Sequence, residues 1–193
     1  MSRTHSLRSG PGCATIANRS AASSGAGLAG STTGADTCKE NTEPPPATQT
    51  STECVKSQVW DESTKSCVDA DSSQLDNDTR FRAVRELAWA GRPEDALIVL
   101  SAMTEGQTDR VLTYVGFANR KAGRMDEGLA AYDAALALNP DNILCRSYLG
   151  QAYVELDQIE LAQVQLDEIR ARGGSGLWAE TALEMAIEPG ETH

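Results

Sequence analysis

The chain has 193 residues, and its 28 acidic against 17 basic side chains give a formal charge of -11. That length suits one domain with an appendage, and the charge disfavours general attraction to phosphate backbones or anionic lipid. The two histidines, His5 and His193, each lie near a terminus, which leaves little for a buried histidine base or a histidine-rich metal site.

Residues 1–52 are rich in Gly, Ser, Thr, Ala and Pro, with the run Pro44-Pro45-Pro46 near the end. Such a stretch buries too little apolar area to offset the entropy of ordering it, so it is predicted to be a disordered tail. Arg3 and Arg8 suit the start of a signal peptide. Neither Ser9 to Asn18 nor Ser20 to Ala35 supplies the apolar core of about 7 to 15 residues that one needs. No run approaches the roughly 18 apolar residues of a membrane-spanning helix.

Cysteines occur at positions 13, 38, 54, 67 and 145. Cys54 and Cys67 bracket two short extended pieces, Val55 to Trp60 and Lys65 to Val68, joined by a turn over Asp61 to Thr64. A disulfide-closed hairpin over 53–70 is predicted, and closing a loop of this size contributes about 3 kcal/mol in the chain-entropy model. The alternative is a pair of free thiols. A disulfide fits a periplasmic or secreted protein, and free thiols fit a cytoplasmic one. One such pair without nearby histidines does not supply four ligands for zinc.

From Asp76 onward Ala, Leu, Val, Glu and Arg dominate. The residues ahead of Leu75 hold 6 basic and 8 acidic side chains, and those after it hold 11 and 20, so the acidity belongs to this second part. Apolar periodicity and turn residues predict helices over 77–90, 93–104, 109–122, 125–138, 143–156 and 159–172. A closing helix is predicted over 177–187, with Ser175 as its N-cap and Trp178, Thr181, Ala182 and Met185 on its apolar face.

Self-comparison at a shift of 34 aligns Val115-Gly116 with Leu149-Gly150, Asn119 with Tyr153, Gly128 with Ala162, Tyr132 with Leu166, Ala135 with Ile169 and Pro140 with Gly174. A shift of 32 relates Gly91 to Ala96 with Gly123 to Gly128. These positions resemble the tetratricopeptide repeat, a helix-turn-helix unit of about 34 residues. Gly116, Gly128, Tyr132, Ala135 and Pro140 stand in its characteristic slots. The third copy keeps Leu149, Gly150, Tyr153 and Ala162, and the first has Ala83, Ala96, Leu100 and Met103. The resemblance covers about 77–176. It implies an all-α solenoid of three helix pairs plus a capping helix within 76–188, acting as a non-enzymatic protein-binding module. Cysteines flanking Val59-Trp60-Asp61 ahead of the helices make the layout similar to short cell-envelope tetratricopeptide proteins of Gram-negative bacteria, with Ser57 where those have Gly.

In that family the first helix of each pair lines a concave groove. The corresponding slots are Phe81, Arg82, Arg85 and Trp89, then Arg110, Thr113, Tyr114, Phe117, Arg120 and Lys121, then Ser147, Tyr148, Gln151 and Glu155. Cations and aromatics gathered on one face of an acidic chain predict a protein partner that offers an acidic or carboxylate-bearing segment. No nucleic acid, cofactor or metal is expected. The alternative is a solvated face whose cations pair with Asp78, Glu86 and Asp109. A second reading takes the hairpin as the active part, because Val59-Trp60-Asp61 between cysteines is loosely similar to a fragment of cysteine-rich chitin-binding modules that bind polysaccharide.

Catalytic motifs are not found: there is no Gly-rich phosphate loop and no Gly-x-Ser-x-Gly elbow. Glu94-Asp95 and Asp126-Glu127 fall in the first turns of predicted helices, where acids favour the dipole. Cys145 is expected to be a buried apolar filler.

Overall fold

The computed structural model describes residues 43–188 and Thr192. Most of the predicted tail, with Cys13 and Cys38, lies outside the described residues. In chain order the elements are α1 (Gln49–Thr52), β1 (Val59–Asp61), β2 (Ser66–Val68), α2 (Asn77–Trp89), α3 (Pro93–Ser101), α4 (Asp109–Lys121), α5 (Met125–Leu138), α6 (Ile143–Glu155), α7 (Ile159–Ala171) and α8 (Trp178–Ile187). The helices α2 to α7 form three antiparallel pairs stacked in sequence, and α8 packs across α6 and α7. No helix among the described residues is long and apolar enough to cross a membrane.

Each pair starts and turns in the same way. Asp76, Thr108 and Asn142 cap α2, α4 and α6 by accepting the amide hydrogens of Thr79, Val111 and Cys145. The second helices have no side-chain cap; acids in their first turns, among them Glu94, Asp95, Asp126, Glu127 and Glu160, face the positive helix end instead. Between partners the chain reverses through a left-handed residue, Gly91 (φ 73°), Gly123 (φ 80°) or Asp157 (φ 60°). The next amide then reaches back to close the helix, as in Arg124 N to the Asn119 carbonyl at 2.9 Å. Helix α3 ends at Ser101 rather than 104. The amides of Ala102 and Met103 turn back to Val99 and Leu100, and Thr104 is held by the Asn77 side chain.

Small residues set how closely the helices approach. A Cβ at Gly116 would lie 2.5 Å from the Tyr132 ring, and one at Gly150 would lie 2.6 Å from Leu183. Tyr132 is fully buried where α4 crosses α5. The Gly150–Leu183 contact also corrects the phase of the closing helix. Its buried face is Ala179, Ala182, Leu183 and Ala186, while Thr181 and Met185 are exposed and Trp178 is half-buried. Small side chains on that face allow α8 to lie close against α6 and α7, which a face containing Met185 would prevent. Leu177, not Ser175, is its N-cap, and no side chain caps it; the Gly176 amide bonds the Glu180 carboxylate at 2.7 Å.

The hairpin forms with Val59 opposite Val68, Trp60 opposite Cys67 and Asp61 opposite Ser66. The first strand is shorter than predicted, because Val55 to Gln58 form a turn of their own. The Asp61 carboxylate accepts from Ser63 and Thr64 and closes the loop. Cys54 and Cys67 form a disulfide. Arg80 donates to the carbonyls of Ala70, Ser72 and Leu75, and Arg92 to those of Cys54 and Lys56, so two arginines of the first pair fasten the hairpin to the repeats. Residues 43–52, expected to be part of the disordered tail, lie along α2. The physical reason is polar: Glu86 and Arg85 supply partners for their backbone, which a composition-based reading does not register.

Candidate interaction surface

The first helix of each pair presents aromatic residues to one common side, and there they pack on one another. Phe81 meets Tyr114 edge to face at 5.3 Å, Tyr114 meets Tyr148 at 6.0 Å, and Phe117 meets Tyr148 at 4.5 Å between ring centroids. Trp89 stacks on Phe117 at 5.6 Å. Trp178 of α8 then reaches both Trp89, at 5.5 Å, and Tyr148, at 6.4 Å. The concave side is thereby filled by the protein's own rings.

Of the fourteen residues predicted to line a groove, Phe81, Arg85, Tyr114, Phe117, Arg120, Tyr148 and Gln151 are buried. This corrects the expectation of an open groove along their length. Aromatic side chains that meet across neighbouring first helices bury more apolar area than they would by lining a wet channel. Thr113 and Ser147 are buried as well, with the Ser147 hydroxyl donating to the Ala179 carbonyl at 2.7 Å. Gln151 donates to the Ser147 hydroxyl.

Most of the cations are engaged inside the chain. Arg85 donates to the Tyr114 hydroxyl at 3.2 Å and to the Glu43 carbonyl at 2.6 Å. Arg120, with no side-chain exposure, donates to Glu155 at 2.8 Å, and Glu155 also accepts from the Thr192 hydroxyl at 2.6 Å. Arg110 binds Glu105 and Asp78 and lies over the Phe81 ring, and its two carboxylates hold its pKa above the usual value. Pairing with Asp78 is the solvated-face alternative, and it holds for Arg110. Glu86 instead serves residues 48–51, and Asp109 accepts from Asn139 and Asn142.

Arg82, Trp89, Arg110 and Lys121 remain accessible to different degrees. Arg82 is exposed and donates to the Thr79 hydroxyl. Lys121 differs from the other cations of this side. Its ammonium lies 6.0 Å from the Phe117 ring centroid, and burial, with the adjacent Arg120 charge, holds its pKa below the ordinary lysine value. Among the described residues it makes no ion pair. The same Phe117 ring stacks on the half-buried indole of Trp89, which in turn meets that of Trp178.

The sequence does not mark three of the participants. It places Trp178 in the closing helix but not against Trp89. It offers Glu86 only as a partner for groove cations. Residues 43–49 carry no signal beyond their prolines. Elsewhere, the Cys145 thiol is fully buried and its pKa is pushed up to about 12 by burial, so it is not a nucleophile. Trp60 is half-buried, with its indole nitrogen covered, so it does not form an open stacking platform.

No curated protein and no solved structure matches the chain significantly. Residues 120–180, from the end of α4 through the start of α8, match the tetratricopeptide repeat family. Repeats of this kind are generally protein-protein interaction modules. The stacked helix pairs, their recurrent left-handed turns and the glycine–tyrosine crossing at Gly116 and Tyr132 carry the same repeat architecture beyond the matched residues 120–180.

Proposed function

We propose that the chain is a non-catalytic protein-binding module that takes a carboxylate-bearing segment of a partner at the rim of its closed concave side. Lys121 supplies the charge contact, and the half-buried edges of Trp89 and Trp178 supply apolar surface. The observation that carries this reading is Lys121 itself: an exposed side chain whose ammonium lies 6.0 Å from the Phe117 ring centroid, without an ion pair among the described residues, on a protein of net charge -11. An arriving carboxylate can meet such an ammonium through a charge-assisted hydrogen bond. The surrounding acidity repels polyanions at long range and favours a short, locally matched segment. The Cys54–Cys67 disulfide supports placement in an oxidising compartment, and a role in cell-envelope assembly or secretion is consistent with it.

The test is a titration with paired peptides that differ only by Glu against Gln, followed through tryptophan fluorescence and the Lys121 side-chain NMR signals. Binding of the Glu form, weakened by salt and accompanied by a rise of the Lys121 pKa, is expected. Equal response to both forms, or an unmoved Lys121 signal, would remove Lys121 from the account.

A further inference from the structure

Residues 43–52 occupy a seat that is more elaborate than the segment filling it. The buried Glu86 carboxylate accepts the Thr48 amide at 2.6 Å, the Thr48 hydroxyl at 2.7 Å and the Ser51 amide at 2.9 Å. Arg85 donates to the Glu43 carbonyl at 2.6 Å. Three of the four contacts read main chain: Thr48 is the N-cap of α1 and Ser51 lies within it, so Glu86 holds the first turn of that helix while Arg85 holds the stretch ahead of it. The segment itself contributes little apolar burial. Between 43 and 49 all residues are exposed except Pro45, which is half-buried. Between this stretch and α2 lies an open cavity of about 210 Å³, walled by Pro44, Pro45 and Ala47 on one side and by Glu86, Trp89 and Ala90 on the other.

Strong main-chain recognition, weak apolar adhesion and unfilled space beside a tryptophan together describe a displaceable occupant. We propose that the seat formed by Arg85, Glu86 and Trp89 is a binding site for a segment of another chain in which a proline-containing stretch leads into a helical turn, which residues 43–52 fill in cis. The segment runs into α1 and the disulfide hairpin, so it competes at an effective concentration on the order of millimolar. A partner displaces it by placing a larger apolar side chain in the cavity, where this chain has only Ala47. The site shares Trp89 with the reading above but does not depend on Lys121, so variants at Glu86 and Lys121 separate the two.

The experiment uses the full-length chain and a full-length variant with a weakened occupant, Pro44→Gly, Pro45→Gly and Thr48→Ala. The probes are a synthetic peptide of residues 42–52 and the same peptide carrying Ala47→Leu, each titrated while the Ser51 and Trp89 backbone signals are followed by NMR. The weakened chain is expected to bind both peptides roughly tenfold or more tighter than the wild type, because the internal competitor is lost. The Ala47→Leu peptide is expected to bind about tenfold tighter than the native sequence, because it fills apolar space. Adding Glu86→Gln to the weakened chain should remove most of that affinity, and Lys121→Glu should leave it unchanged. Equal affinity for weakened and wild-type chains, or indifference to Glu86→Gln, would overturn the proposal. So would loss of cooperative unfolding in the weakened chain and in a milder Pro45→Gly variant, since residues 43–49 would then be a fixed part of the fold.

Discussion

Trp89, the last residue of α2, meets Trp178, the first residue of α8, with ring centroids 5.5 Å apart and planes at 71°. This contact joins the first repeat helix to the closing helix across the concave side. An edge-to-face pair of this kind is worth about 1 kcal/mol beyond its buried area. A double-mutant cycle with Trp89→Leu and Trp178→Leu, measured by urea unfolding, is therefore expected to show a coupling of about 1 kcal/mol. Additive losses would mean that the rings do not meet in solution.

The Gly116–Tyr132 crossing is predicted to be intolerant of a single methyl group. A Cβ at position 116 would fall 2.5 Å from the Tyr132 ring, which is fully buried and has no room to retreat. Gly116→Ala should cost about 1–3 kcal/mol as overpacking. Combining it with Tyr132→Leu should recover part of the loss, because Leu166 fills the equivalent slot in the third pair. Thermal and urea denaturation would measure both.

These two cases show how far the sequence can be read. Gly116, Tyr132, Ala135 and Pro140 identify the repeat because each reflects a local requirement: a close crossing, a knob, a small neighbour, a helix exit. The paired cysteines likewise mark the hairpin. The side lined by the first helices is not legible in the same way, because its character depends on contacts between residues far apart in the chain. Phe117 and Tyr148 form a core because their rings meet at 4.5 Å across two neighbouring pairs. The phase of α8 is misleading in the sequence because Trp178 and Met185 are the larger apolar residues, whereas the contact is set by Ala179, Ala182 and Leu183 meeting Gly150. Residues 43–49 lack any apolar pattern, since their attachment runs through backbone groups to Glu86 and Arg85.

Arg120 and Glu155 form a pair in which only the carboxylate reaches solvent. Removing the acid leaves a buried guanidinium charge without its Glu155 partner, so Glu155→Ala should destabilise by about 2–3 kcal/mol. Replacing both, as Arg120→Met with Glu155→Leu, should cost much less than Glu155→Ala alone. Urea midpoints of the three proteins provide the comparison.

Acid sensitivity should arise partly at the junction of α7 and α8. Hydrogen bonds from Arg170 and from the Gly176 amide hold the Glu180 pKa below its usual 4.5. A carboxyl group whose folded pKa is depressed stabilises the protein above the unfolded value, and that contribution is lost as pH falls through the folded value. Melting temperatures should drop as pH falls below about 4.5, and Glu180→Gln should flatten that part of the profile while lowering stability near neutrality.

The most direct test of the account is Lys121→Met, with peptide affinity and melting temperature measured on the same protein. The Lys121 side chain is exposed and makes no ion pair among the described residues, so its replacement should leave the melting temperature nearly unchanged. The loss of a charge-assisted contact should weaken binding of a Glu-containing peptide by about tenfold or more. Unchanged affinity would contradict the claim that Lys121 carries partner recognition, and so would a fall in melting temperature large enough to explain the lost binding.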